Sequence, residues 1–265
     1  MIAGLVRGAW LYRGFIGGSM RREFQSRYRN SLLGAAWTVL QPLSMVLIYT
    51  VVFSQVMGNR LPGSASTYAY GIFVCAGLLS WGYFSEILGR GQTIFIDNAN
   101  LIKKLAFPKI CLPVIAVVNS SINFAIIFGL FTLFLIVTGN FPGLPFVALV
   151  PLLAIQVAFA IGLGVILGVL NVFFRDVGHF VNIFLQFWFW FTPIVYPLNA
   201  LPPWAQKMVA WNPLTGLIVG YQQILVYGKW PQWSALIPVT ILALALCAFA
   251  VSLFAKRAGE MVDEL

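Results

Sequence analysis

Apolar and polar residues follow one another along this chain in long blocks. Apolar runs fall at about residues 37–57, 70–89, 110–138, 145–171, 180–197 and 233–255, the fifth interrupted by Pro193 and Pro197. Each is close to the roughly 20 residues a helix needs to cross a bilayer core of about 30 Å. The segments between them are polar or turn-rich. Gly58-Asn59-Arg60-Leu61-Pro62-Gly63-Ser64 and Phe141-Pro142-Gly143-Leu144-Pro145 read as turns. The pattern predicts an all-α membrane protein of six transmembrane helices, with the second span closing on the i,i+4 pair Glu86 and Arg90.

Three segments depart from the blocks. Residues 1–33 mix Ile2, Leu5, Val6, Trp10, Phe15 and Ile16 with Arg7, Arg13, Arg21, Arg22, Arg27 and Arg29. That mixture predicts an amphipathic helix lying in the membrane interface, its cations toward headgroups. Residues 91–108 interleave Asp97, Asn98, Asn100, Lys103 and Lys104 with Ile94, Phe95, Leu101, Ile102 and Leu105, so a short amphipathic helix is expected there. Residues 198–232 hold two short helical signals. One opens at Leu201-Pro202-Pro203-Trp204. The other opens at Asn212-Pro213, an N-cap followed by proline at the first helical position. Leu214, Leu217, Ile218, Tyr221, Ile224 and Leu225 then recur at helical spacing. Neither piece is long enough to span, so both are expected as re-entrant or interfacial helices between the fifth and sixth spans. The whole chain is expected to be one membrane domain: an interfacial segment 1–33, a bundle 34–255 and a tail 256–265.

Composition excludes a soluble domain. The 265 residues are 60% hydrophobic and only 9% charged, against about 25% charged in soluble proteins. Mean hydropathy is +0.90. A net charge of +9 would ordinarily raise nucleic acid as a partner, but here its placement explains it. With six spans, one side carries Arg7, Arg13, Arg21, Arg22, Arg27, Arg29, Arg90, Lys103, Lys104, Lys109, Arg175, Lys256 and Arg257. The other carries Arg60, Lys207 and Lys229. Cationic loops stay in the cytoplasm, so both termini are expected there and no nucleic acid is implied. No cleaved signal peptide is seen at the start.

Little catalytic chemistry is offered. Cys75, Cys111 and Cys247 are widely separated in apolar sequence and read as buried thiols; His179 is the single histidine. No metal site is implied. No ionisable residue falls near the centre of a span, Glu86 being placed close to a cytoplasmic end, which argues against a proton- or sodium-coupled carrier. None of the lysines is followed by Ser or Thr, so there is no phosphate-binding loop. Any work done must draw on another chain. The pairs Asn119/Asn123 and Asn182/Gln186 suit interhelical hydrogen bonds or a polar pathway. Aromatic residues make up 15% of the chain. Phe180, Phe184, Phe187, Trp188 and Phe191 share helical spacing, as do Tyr49 and Phe53. They fit interface belts and core packing, or a conduit wall on which the C–H patches of sugar rings would stack.

Arg27-Tyr28-Arg29-Asn30-Ser31-Leu32-Leu33-Gly34, followed by Trp37 and Leu40-Gln41-Pro42, resembles the start of ABC-2-type permeases that export polysaccharides. The order of spans, the basic loop after the second and the long segment before the sixth are similar to that family too. The resemblance implies the permease subunit of an ATP-driven exporter in the bacterial inner membrane. It would be a homodimer paired with two ATPase subunits that bind ATP and magnesium themselves. The cargo would be an O-antigen-like polymer on an undecaprenyl-pyrophosphate-type carrier. It also implies a role near the lipid pyrophosphate for Arg21, Arg22, Arg27 and Arg29. Trp37, Tyr49, Phe53, Phe184, Trp188 and Phe191 become candidate channel-lining aromatics. Asp97, Asn100, Lys103, Lys104, Arg175 and Asp176 become candidate ATPase contacts, with 93–107 as a cytoplasmic coupling helix. Competing readings are export of capsule polymer, teichoic acid, a drug or a small lipid, a membrane-embedded lipid-modifying enzyme, or a scaffold without transport. The enzyme would need a polar catalytic cluster, and the sequence shows only scattered Asn and Gln.

Overall fold

The computed structural model describes residues 68–104 and 111–265 (Lys104 by its backbone), together with residues 14, 17, 18, 36, 37, 40, 43–45 and 47–49. Among the described residues every regular element is a helix. In hydrocarbon, backbone N–H and C=O groups have no water to bond, and a helix satisfies them within its own segment. The continuous elements are α1 (Ala69–Asp97), α2 (Ala99–Lys104), α3 (Cys111–Val137), α4 (Leu149–Phe173), α5 (Asp176–Trp190), α6 (Pro203–Ala210), α7 (Pro213–Tyr227), α8 (Trp233–Arg257) and α9 (Glu260–Glu264). A 3₁₀ turn, Leu144–Ala148, leads into α4.

Four stretches of these are long and apolar enough to cross a membrane: α1, α3, Leu144–Phe173 and α8. Their places match the second, third, fourth and sixth expected spans. Of the first, Trp37, Leu40, residues 43–45 and residues 47–49 are helical, and the remainder lies outside the described residues. The fifth is interrupted ahead of Pro193, as its sequence implies, and begins earlier than expected, at Asp176. Helix α5 has 15 residues, about 22 Å at 1.5 Å per residue, and stops at Trp190 because Pro193 cannot supply an N–H to continue it. The chain from 191 to 197 is irregular.

Helices α1 and α4 form the centre. They meet along glycines: a Cβ on Gly168 would lie 2.4 Å from the Gly91 carbonyl oxygen, and one on Gly91 would lie 2.9 Å from the Gly164 Cα. Above this seam Phe84 stacks on Phe159, centroids 5.6 Å apart. Helix α8 packs on α4 and buries Leu236, Val239, Ala243 and Ala250, while Ile237, Ile241 and Leu244 stay exposed, as a lipid-facing side would. On α3, Leu112, Phe124, Phe131 and Leu135 are likewise buried, while Leu133 and Ile136 are exposed.

The glycine seam also explains why the second span runs past its expected end near residue 89. Gly91 and Gln92 look like loop residues in sequence, yet both are buried. Gly91 fits where no side chain could, and the Gln92 carbonyl accepts a hydrogen bond from Asn171 Nδ2 at 3.0 Å. The helix therefore continues to Asp97, takes the first part of the amphipathic stretch with it, and leaves α2 as a six-residue remainder after Asn98.

One consequence corrects the placement of Glu86 at a helix end. Its carboxylate does pair with Arg90, Nε to Oε1 at 3.0 Å. It also accepts from Asn123 Nδ2 at 2.8 Å, near the middle of the 27-residue α3. Beyond Glu86, α1 runs on for about 16 Å. One helical turn away on the same side, the Tyr83 hydroxyl and Ser121 Oγ are 2.7 Å apart. Of the expected polar pairs, Asn123 thus bonds between helices, whereas Asn182 and Gln186 are exposed on α5.

Candidate functional site

Candidate functional side chains gather at the two ends of the bundle. At one end the sequence breaks a helix and then repairs it. The irregular segment 191–197 would leave carbonyls without partners, and side chains from elsewhere reach them. Gln222 Nε2 donates to the Pro193 carbonyl at 3.0 Å. The Tyr70 hydroxyl donates to Val195 at 2.7 Å, and Asn212 Nδ2 to Phe191 at 3.2 Å. Non-helical backbone at membrane depth is tolerated only with such partners. The segment also crosses α1 closely: a Cβ on Gly77 would sit 2.8 Å from the Ile194 carbonyl oxygen.

Asn212 is the hub of this end. Its Oδ1 caps α7 by accepting from the Leu214 N–H at 3.1 Å, as the Asn-Pro signal predicts. The same oxygen accepts from the Trp188 indole N–H at 2.9 Å, and its Nδ2 donates to Thr192 Oγ1 at 2.8 Å. One buried amide thereby fixes the start of α7, the end of α5 and the orientation of the Trp188 ring. The six apolar positions predicted for α7 are all buried against the bundle.

Trp188 separates two environments. On one side it meets Phe84 at 5.3 Å, Trp81 at 6.2 Å and Phe159 at 6.3 Å, all edge to face. On the other it borders a cavity of about 900 Å³ with Phe184, Phe187, Trp190, Phe191, Met208, Trp211, Asn212 and Pro213. Phe180, Phe184 and Trp188 form a ladder along α5, with centroids 6.0 Å and then 5.2 Å apart. Among the described residues no ionisable side chain lines this cavity; its walls are mostly aromatic rings, with Met208, Pro213 and one amide from Asn212. Phe187 is 71% and Trp211 89% exposed, so the rings keep open faces toward a flat, partly apolar partner.

The structure thus brings Phe184, Trp188 and Phe191 of the sequence-predicted aromatics to one wall. Trp37 is helical and exposed, and Tyr49 is partly buried against the main core. Phe53 and the four arginines Arg21, Arg22, Arg27 and Arg29 lie outside the described residues. Sequence reasoning missed the contribution of α6. Trp204, Met208 and Trp211 are spaced i, i+4, i+7 and are all exposed, a stripe that was legible beside Pro202-Pro203.

The opposite end is charged. Asp97, Asn100 and Lys103 are exposed around α2, and Arg175 and Asp176 at the start of α5. Only the backbone of Lys104 is described. Asn171 joins the two groups: its Nδ2 holds the Gln92 carbonyl of α1, and its Oδ1 accepts the Gly178 N–H at 3.1 Å. Asn171 thereby ties the end of α1, which leads into α2, to the first turn of α5. Among the described residues no group of His, Cys, Asp and Glu could hold a metal ion.

The chain matches the family model described as ABC-2 type transporter over residues 16–226. It is 32% identical over 263 residues, 98% of this chain and 99% of the relative, to the O-antigen export system permease protein RfbA of Myxococcus xanthus. A Klebsiella pneumoniae protein of the same name is 33% identical over 208 residues, 78% of each chain. The polysialic acid transport protein KpsM of Escherichia coli is 21% identical over 242 residues, 91% of this chain and 92% of that protein.

Proposed function

This chain belongs to the ABC-2 type transporter family, and from that premise we propose that it is the membrane permease subunit of an ATP-driven exporter of lipid-linked polysaccharide, O-antigen being the cargo class. The observation that carries the cargo class is the wall around α5 and α6: large, mostly aromatic, open and, among the described residues, uncharged. An ion path needs a string of charges or carbonyls. A sliding sugar chain needs weak, repeated contacts, which stacked rings supply. The export relatives, similar over 98% and 78% of this chain, support the same class.

In this reading six spans cross the bacterial inner membrane with both termini in the cytoplasm. The first is built on residues 37–57; the fifth is α5 continued through 191–197, with α6 and α7 at the outer mouth. Two copies of the chain pair with two ATPase subunits, which bind ATP and magnesium. Arg21, Arg22, Arg27 and Arg29 hold the pyrophosphate of the carrier lipid by charge-assisted hydrogen bonds. The surface of Asp97, Asn100, Lys103, Lys104, Arg175 and Asp176 meets the ATPase. Nucleotide-driven movement there is passed on through α1 and α4 together and opens a path between two copies of the first and fifth spans.

The test is genetic and biochemical together. Deleting the chain should trap lipid-linked polymer in the cytoplasm, and the chain should copurify with a phosphate-binding-loop ATPase. Polymer that still reaches the surface would remove the cargo assignment, and absence of an ATPase would remove the exporter. A capsule-type polymer is the second reading, supported by the similarity to the polysialic acid transport protein. Chemical analysis of the trapped polymer separates the two.

A further inference from the structure

The last residues, expected as a tail over 256–265, pack back on the bundle. They form α9, and Met261 within it is only 1% exposed. Met261 joins a buried cluster with Ile94 and Phe95 of α1, Ile102 of α2 and Val172 of α4, against which Val262 and Leu265 also pack. The acidic residues Glu260, Asp263 and Glu264 take the exposed side. Glu260 forms an ion pair with Arg257 that closes the turn from α8 into α9.

We propose that α9 is a positioning brace, which holds α2 against the bundle so that displacement of α2 is passed to α4 and α8 as well as to α1. The proposal rests on the reading that an ATPase subunit engages α2. Its physical basis is the weakness of α2 on its own. Six residues lie far below the roughly 12–15 at which an isolated helix becomes even marginal. Within α2 only Ile102 is buried. Helix α2 packs on α1, from which Asn98 separates it, and on α9; α9 in turn packs on α4. Among the described residues, without α9 a force on α2 would reach the bundle through the Asn98 hinge and the α2–α1 contact, and part of it could be lost there as bending. With α9 in place, α1, α2, α4 and α8 share one buried cluster and move together.

The assay uses the purified complex of permease and ATPase in proteoliposomes, with lipid-linked polymer as the probe. Met261→Gln should keep pairing and basal hydrolysis, lose most of the polymer-stimulated hydrolysis, and lower export severalfold. Met261→Leu, which keeps the apolar contact, should restore both. A purely structural role would lower the yield of complex without changing stimulation per folded complex. If Met261→Gln does reduce that yield, Val262→Gln and Leu265→Gln, both at partly buried positions, carry the same readout. Wild-type stimulation and export in well-folded variants would overturn the brace. Failure of the unmodified chain to pair with any ATPase would overturn the exporter reading and the brace with it.

Discussion

The same residue types behave in opposite ways on the two sides of Trp188. Toward α1 and α4, Trp81, Phe84 and Phe159 are buried and their rings close on one another. Toward α6, Phe187, Trp190 and Trp211 border a cavity and stay exposed. The sealed side is fixed by glycine contacts at backbone distance. The open side is anchored at its root by Asn212 and by the Thr215 hydroxyl on the Val209 carbonyl. Rings therefore serve as core where a facing helix completes them and as a surface where none does. Neighbours, not residue type, decide which.

The contrast breaks most completely at the seam. Gly168→Leu places a side chain where even a Cβ would lie 2.4 Å from the Gly91 carbonyl oxygen. Overpacking of this kind costs about 3 kcal/mol. The expected result is loss of folded protein, measured as the monodisperse fraction after detergent extraction. Recovery of normal folded protein would mean that the two helices are looser than described.

Next in size is Asn212→Ala. It removes a helix cap worth about 1 kcal/mol and leaves the half-buried Trp188 N–H without its partner, at about 1–2 kcal/mol more. The chain should fold less stably, with a lower unfolding midpoint, and Trp188 fluorescence should shift as the ring loses its orientation. Asn212→Asp, which keeps an acceptor for the indole and for Leu214, should recover the cap but not the donation to Thr192 and Phe191.

The open side should respond differently. Phe187→Ala with Trp211→Ala should change stability by less than about 0.5 kcal/mol each, as exposed substitutions do, yet reduce export severalfold. An equal loss of stability and export would make these rings ordinary core. The smallest effect is expected from Glu86→Gln. A partly exposed ion pair contributes up to about 1 kcal/mol, and glutamine still offers Asn123 an acceptor. The measurement is the unfolding midpoint compared at low and high salt.

Much of this architecture was legible in the sequence, for reasons that differ by element. Spans α3, α4 and α8 announce themselves because lipid and core both demand apolar residues. Helix α7 was readable to the residue, since Asn212-Pro213 is a local cap and the stripe from Leu214 to Leu225 is periodic. The end of α1 was not. Gly91-Gln92 carries the local signature of a loop, and only a partner glycine seventy-odd residues later turns it into a helix interface. The break in the fifth span was legible at Pro193, whose missing N–H interrupts the helix although the apolar run continues to residue 197. Met261 was hidden among Glu260, Asp263 and Glu264, where local charge outweighs a single buried contact. Of the site, the α5 aromatics were found by spacing, and the α6 stripe was passed over beside its prolines.

The central claim is that the rings around the α5–α6 cavity touch the polymer. The direct measurement is photo-crosslinking from positions 187 and 211 in the complete complex during ATP turnover, with adducts probed for polysaccharide. Adducts that carry sugar at both positions, appear only with an active ATPase and are absent from lipid-facing Ile241 are the predicted result. Adducts to phospholipid alone at 187 and 211, with polymer captured elsewhere, would contradict the account.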